Sequence, residues 1–164
     1  MRWTAPPDGL YKINFDATLF TTLDRVGIGV IIRDYKGLVM ASLSHSISPP
    51  LTVLETETMV ATRALEFAQE LGLDSDILEG DCEVLMNSLK EDSLHLASSG
   101  LLIKEVKAIA ESFQCISFSH VLREGTMVAH NLTKHARHVT DFSVWMKDVS
   151  SHTLIAYQTD LPID

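Results

Sequence analysis

A chain of 164 residues and 18.2 kDa predicts one compact domain, long enough to enclose a substantial core. Its apolar share of 46% and charged share of 21% are those of a soluble globular protein, and a net charge of −9 excludes a generally basic nucleic-acid coat. A polyanionic substrate would have to be met by local Lys and Arg side chains or by bridging cations. The two cysteines, Cys82 and Cys115, do not make a disulfide framework, which points to a reducing intracellular setting, nuclear or cytoplasmic. The first residues lack a signal-peptide core and no apolar run reaches membrane-spanning length, so no membrane association is expected.

Pro6, Pro7, Asp8 and Gly9 form an extended lead-in followed by a turn. Alternating apolar and polar residues from Leu10 onward predict a first strand ending between Asp16 and Leu19. A polar turn over 21–25 leads into a second strand over 26–32, whose Gly27 and Gly29 suggest close backbone approach, since no helical pattern opens directly after them. Residues 33–37 read as a hairpin turn, with Arg33 and Asp34 as a turn pair, and 38–46 as a third strand, giving an antiparallel meander.

Pro49 and Pro50 end that pattern, and from about 52 to 71 the period becomes helical, with Met59, Val60, Ala64, Leu65, Phe67, Ala68 and Leu71 along one face and Gly72 closing it. A short strand over 76–81 crosses back as a parallel neighbour would. A helix over 82–90, a linker over 91–99, an amphipathic helix over 101–113, a fifth strand over 116–121 and a helix over 127–137 follow. From about residue 148 the pattern is lost, so the expected division is a domain over 1–147 and a tail over 148–164. The order predicts an α/β domain with a five-stranded mixed sheet, three antiparallel strands first, and helices on both faces.

Within this frame Asp16 is the residue that asks for an explanation. A carboxylate inside a half-buried strand is costly unless a cation, a metal or a proton neutralises it, although an Asp capping a strand end reads equally well from this stretch alone. Asp81 fits a helix N-cap, Glu57 a solvated helix face, and His120 and His130 ordinary structural or surface positions. His135 and His138, near His130, fall together by chance in a chain of seven histidines.

Read together, Trp3 with Pro6 to Gly9, Lys12 to Ala17, Gly27 to Gly37, Glu57 eight residues before Leu65, Glu79 to Asp81, and His120 to Gly125 leading to Ala129, His130 and Leu132 form an ordered set. Over residues 3 to 137 the chain resembles the ribonuclease H-like superfamily, and in it the plant domains of the non-LTR retrotransposon type. The resemblance implies a ribonuclease H-like fold and an active site of four acidic side chains holding two divalent cations, Mg²⁺ or Mn²⁺. It assigns Asp16, Glu57 and Asp81 to the first three positions, with Glu57 favoured over the neighbouring Glu55 by the spacing to Leu65. Mg²⁺ is a hard ion that takes carboxylate and water oxygens, and rigid elements remote in sequence can hold such ligands in place.

The fourth acidic position falls on His130, and this departs from the family pattern. Imidazole is neutral and softer, which suits Mn²⁺ or Zn²⁺ better than Mg²⁺, so a weaker second ion and reduced activity are expected. Thr126 stands where the family usually has Asn, which puts a substrate contact in doubt. His120 matches the family's mobile histidine, which assists proton transfer or product release. The region 91–100 lacks the basic protrusion with which bacterial relatives grip the hybrid, leaving Lys104, Lys107, Arg123, Lys134 and Arg137 as positive help. The implied activity is hydrolysis of the RNA strand of an RNA/DNA hybrid by a monomer. The alternative is a catalytically degenerate domain that binds nucleic acid or a protein.

Overall fold

The computed structural model describes residues 2–50, 52–91 and 100–161. Strands β1 (Tyr11–Phe20), β2 (Arg25–Arg33) and β3 (Val39–Ile47) form the expected antiparallel meander. Helix α1 (Val53–Glu70) then returns the chain to β4 (Ser75–Gly80), which pairs with β1 in parallel. Helices α2 (Glu83–Lys90) and α3 (Gly100–Glu111) precede β5 (Cys115–His120), which pairs in parallel with β4. Helix α4 (Met127–His135) follows, and a last strand β6 (Phe142–Met146) and helix α5 (Leu154–Asp160) complete the described fold. The linker expected over 91–99 lies, apart from residue 91, outside the described residues.

The sheet has six strands, in the order β5-β4-β1-β2-β3-β6, and not five. The added strand pairs antiparallel with β3, Leu43 opposite Val144. Its five residues are too short a run to signal a strand. Its partner lies about a hundred positions earlier, so nothing local marks the pairing.

Helices lie on both faces, as expected. On one face Ile13, Phe15, Val30 and Leu43 of the strands pack with Val60, Ala64, Leu65 and Phe67 of α1, Leu85 and Met86 of α2, and Val106 of α3. A Thr52–Glu55 capping box starts α1, each side chain bonding the other residue's backbone N–H, an arrangement that contributes about 1 kcal/mol. On the opposite face Ile31 and Val39 pack with Val128, Ala129 and Leu132 of α4, with Trp145, Ala156 and Tyr157 against them. Here the two glycines of β2 act as anticipated. A Cβ on Gly29 would stand 2.0 Å from the carbonyl oxygen of Ala129, and one on Gly27 2.4 Å from that of Thr133. Only glycine lets the α4 backbone sit this close to the sheet, and the approach brings His130 over β1.

Arg33 is not half of a turn pair. It is fully buried at the end of β2, stacked on the Trp3 ring with its guanidinium carbon 3.8 Å from the centroid, and Nη1 lies 2.9 Å from Oδ2 of Asp160. The ion pair fixes α5 to the sheet, so the segment over 151–160, read from sequence as tail, is folded and docked. Asp34 does form the turn, its Oδ1 accepting from the N–H groups of Lys36 and Leu38.

Candidate metal centre

Three elements deliver three carboxylates to one place. Asp16 sits inside β1 opposite Gly29 of β2, Glu57 in the second turn of α1, and Asp81 directly after β4. One oxygen from each lies within 4.8 Å of the others, and among the described residues this is the only grouping of three or more His, Cys, Asp or Glu side chains with such geometry. The capping box separates the two candidate glutamates: Glu55 is committed to the helix start, and Glu57 faces Asp16 and Asp81. Asp81 is not a helix cap, because Cys82 holds that position at the start of α2 without a side-chain bond.

The cluster's charge is only partly compensated. Asp16 is 1% exposed; its Oδ2 accepts from Nη1 of Arg123 at 2.9 Å and lies 2.8 Å from Nδ1 of His130. Arg123 also places Nε 3.3 Å from Oδ2 of Asp81 and Nη1 2.7 Å from His130 Nδ1. A protonated Nδ1 donates to Asp16, and a bare one accepts from Arg123, so the imidazole fits either way. Against this, Oδ1 of Asp16 and Oε2 of Glu57 are buried with no hydrogen-bond partner. Burial, and then the neighbouring Asp16 and Asp81, push the Glu57 carboxyl up to about 8. Burial and then Asp16 likewise push the Asp81 carboxyl up from its ordinary value. Buried, unpartnered carboxylate oxygens that converge are what a hard divalent cation would satisfy, and this donor set fits Mg²⁺ or Mn²⁺.

The two histidines fall differently. His130, on the first turns of α4, reaches Asp16 directly. His120 ends β5 opposite Gly80, one residue before Asp81 on the neighbouring strand, and its ring has no hydrogen-bond partner among the described residues. His135 and His138 lie away from the cluster, His135 edge-on to Trp145 at 5.1 Å. Thr126 is fully buried, and its Oγ1 donates to Oδ1 of Asn14 at 2.8 Å, which makes it a brace for β1.

Arg123 enters the cluster although the sequence presents it only as general positive charge, and nothing local distinguishes it from the other basic residues. Nor was the support beneath the site foreseen. Asn14 donates to Oε1 of Glu79 at 3.1 Å, and Lys12 Nζ lies 3.2 Å from Oε2. A signal for it existed: Lys12, Asn14 and Asp16 occupy alternate positions of a strand whose other face, Ile13 and Phe15, is wholly apolar.

A meander of three strands, parallel β4 and β5, and an acidic cluster at β1, α1 and β4 define a ribonuclease H-like α/β domain. Solved structures agree: ribonuclease H1 of the archaeon Halobacterium salinarum superposes with a TM-score of 0.70 at 21% identity, covering 79% of this chain and 98% of that one. The N-terminal ribonuclease H domain of a Mycobacterium tuberculosis protein gives 0.68 at 19% identity, over 79% and 94% of the two chains. LC11-RNase H1, isolated from compost by a metagenomic approach, gives 0.66 at 23% identity, over 77% and 94%. No curated protein matches the chain. The family model described as reverse transcriptase-like matches residues 14–136, and the chain belongs to that ribonuclease H-like family.

Proposed function

We propose that this protein is a divalent-metal-dependent endonuclease that hydrolyses the RNA strand of RNA/DNA hybrids. The observation that carries the reading is the convergence of Asp16, Glu57 and Asp81 within 4.8 Å, with buried oxygens on Asp16 and Glu57 left unpartnered. A similar fold, LC11-RNase H1 at 22% identity, has been solved in complex with an RNA/DNA hybrid, which supports the substrate class. Bound there, Mg²⁺ or Mn²⁺ would supply Lewis-acid stabilisation of the phosphodiester and an acidified water. Asp16, Glu57 and Asp81 would be the ligands, Glu57 giving up the proton that its surroundings favour. Arg123, about half exposed, would turn from Asp16 towards the phosphate backbone. His120, at the rim, would exchange protons with departing product. Recognition would rest on duplex shape and 2′-hydroxyl contacts, with modest and salt-dependent affinity in a chain this acidic.

His130 in the fourth position supplies no negative charge and would leave a second ion weakly held, lowering activity. One observation favours a second reading, a degenerate domain that binds nucleic acid without cutting it: Asp16 Oδ2 is already satisfied internally by Arg123 and lies beside His130. Cleavage of an end-labelled hybrid at low salt, with Mg²⁺ and with Mn²⁺, separates the two. We expect slow cleavage, favoured by Mn²⁺, lost by at least about a hundredfold in Asp16→Asn and raised in His130→Asp. Absence of cleavage by the parent with either metal, with the hybrid still retarded in a gel, would establish the binding module instead.

A further inference from the structure

Strand β6 ends the sheet, and the direction of its free backbone groups follows from the bonds it makes to β3. The N–H of Ser46 donates to the carbonyl of Asp141 at 2.8 Å, and that of Lys147 to the carbonyl of Met40 at 2.9 Å. Residues 141 and 147 therefore turn their backbone groups inward. By antiparallel alternation so do Ser143 and Trp145, opposite Ser44 and Ser42. Phe142, Val144 and Met146 turn theirs outward, where no strand among the described residues pairs with them.

Edge strands are ordinarily guarded by a proline, a bulge or a central charge. This one has none: its sequence is Phe, Ser, Val, Trp, Met, and its pairing with β3 is regular throughout. Phe142, Val144 and Met146 also expose 53%, 39% and 59% of their surface on one face. The charges stand only at the two ends, Asp141 before the strand and Lys147 after it, and they are opposite in sign. The Asp141 side chain is 75% exposed, with one contact to His45 at 3.4 Å; Lys147, in the left-handed region at φ 59° directly after the strand, is exposed with its Nζ 3.4 Å from Met40 Sδ.

We infer that the outer edge of β6 pairs antiparallel with β6 of a second copy of this chain, about a two-fold axis through Val144, joining two six-stranded sheets into one. The strand is self-complementary about that point. Val144 meets Val144 of the second copy through the outward N–H and C=O groups of both, and Phe142 meets Met146. In the same register Asp141 faces Lys147 of the second copy, twice by symmetry. A two-residue slip in either direction separates both pairs, and parallel pairing brings like charges together, so the end charges select this one arrangement. The strand lies outside residues 14–136 that the family model matches, and a dimer would take the place of the monomer expected from sequence. Only the strand edge and three apolar side chains per copy are covered, which sets the association in the weak, transient class.

Sedimentation equilibrium of the full chain across the micromolar range tests this, with circular dichroism and thermal melting to confirm that each variant folds. The parent is expected to show a reversible monomer–dimer equilibrium. Val144→Pro removes an outward N–H and leaves every β3 bond in place, and should abolish the dimer. Asp141→Lys and Lys147→Asp each place like charges opposite one another and should weaken association about tenfold. The double variant Asp141→Lys/Lys147→Asp restores both ion pairs in reversed sense and should recover association to near the parent level. A parent that stays monomeric throughout, an association indifferent to Val144→Pro, or a charge swap no better than its single variants would overturn the inference.

Discussion

Strands β1 and β4 carry carboxylates at two levels, and the two levels are neutralised in opposite ways. At the lower one, Glu79 is 4% exposed and meets Lys12, itself 6% exposed, with Asn14 completing the bonds. The cation is built into the strand beside it and cannot leave without unfolding β1. At the upper level, of Asp16, Glu57 and Asp81, only Asp16 and Asp81 pair with a guanidinium, which comes from Arg123 on a short 3₁₀ turn and is 53% exposed. Two of their buried oxygens have no partner at all. Burial raises Glu79 as it raises Glu57, but Lys12 and Asn14 pull Glu79 back, whereas at Glu57 the nearest carboxylates push the same way as burial. A permanent internal cation marks a structural ion pair; a displaceable one over converging, unpartnered oxygens leaves a site that could hold a cation from outside.

Removing the lower cation shows whether its ion pair is structural. Lys12→Met should destabilise the fold by about 3–5 kcal/mol at neutral pH, because Glu79 is left buried and unpaired. Lys12→Met/Glu79→Gln should recover most of the loss. Urea denaturation of the three proteins measures it. A loss below about 1 kcal/mol for the single variant would show that Glu79 simply takes up a proton, and the lower level would then resemble the upper one.

Much of this architecture could be read from sequence because it is written in local periodicity. Alternation places Asp16 inside β1, helical spacing marks the buried face of α1 except for Met59, which is exposed, and Gly27 and Gly29 announce a close backbone approach. What was not legible depends on contacts remote in the chain. Arg33 reads as a turn residue until Asp160, 127 positions later, is folded against it. Strand β6 exists because β3 offers it an edge. Arg123 belongs to the site because a 3₁₀ turn, Arg123–Gly125, carries it over Asp16, and no pattern within the loop encodes that direction.

A second test combines pH with metal, on two buried carboxyls of which only Glu57 belongs to the cluster. Asp76 on β4 is fully buried with both oxygens unpartnered, and burial followed by Asp74 pushes it up to about 7. Its folded pKa is raised, so its contribution is intact below the ordinary value of 3.8 and is lost as pH climbs through about 7. Glu57 behaves alike between its ordinary 4.5 and about 8. Without metal, stability should therefore fall from pH 5 to pH 8. Asp76→Asn and Glu57→Gln should each flatten the fall by about 1–3 kcal/mol and be more stable than the parent at pH 8. Only for Glu57 should added Mn²⁺ do the same to the parent, by binding the charged form. Equal metal responses in the parent and in Glu57→Gln would remove Glu57 from the ligand set.

The smallest expected effect is also the most discriminating. Arg123→Ala deletes a cation that is half exposed, so the loss of folding stability at neutral pH should be slight, about 0.5 kcal/mol or less. The same substitution removes the internal competitor for Asp16 and Asp81, so Mn²⁺ affinity, measured by calorimetry on the folded protein, should rise several-fold. A structural arginine would give the reverse: a clear drop in stability and no gain in metal affinity. Lys12 is expected to behave in that second way, and the contrast between the two basic residues turns the geometry of two levels into one measurable difference. If both variants lose stability alike and neither changes metal binding, the upper cluster is an ion-pair network like the lower one, and Asp16 is held by its arginine for good.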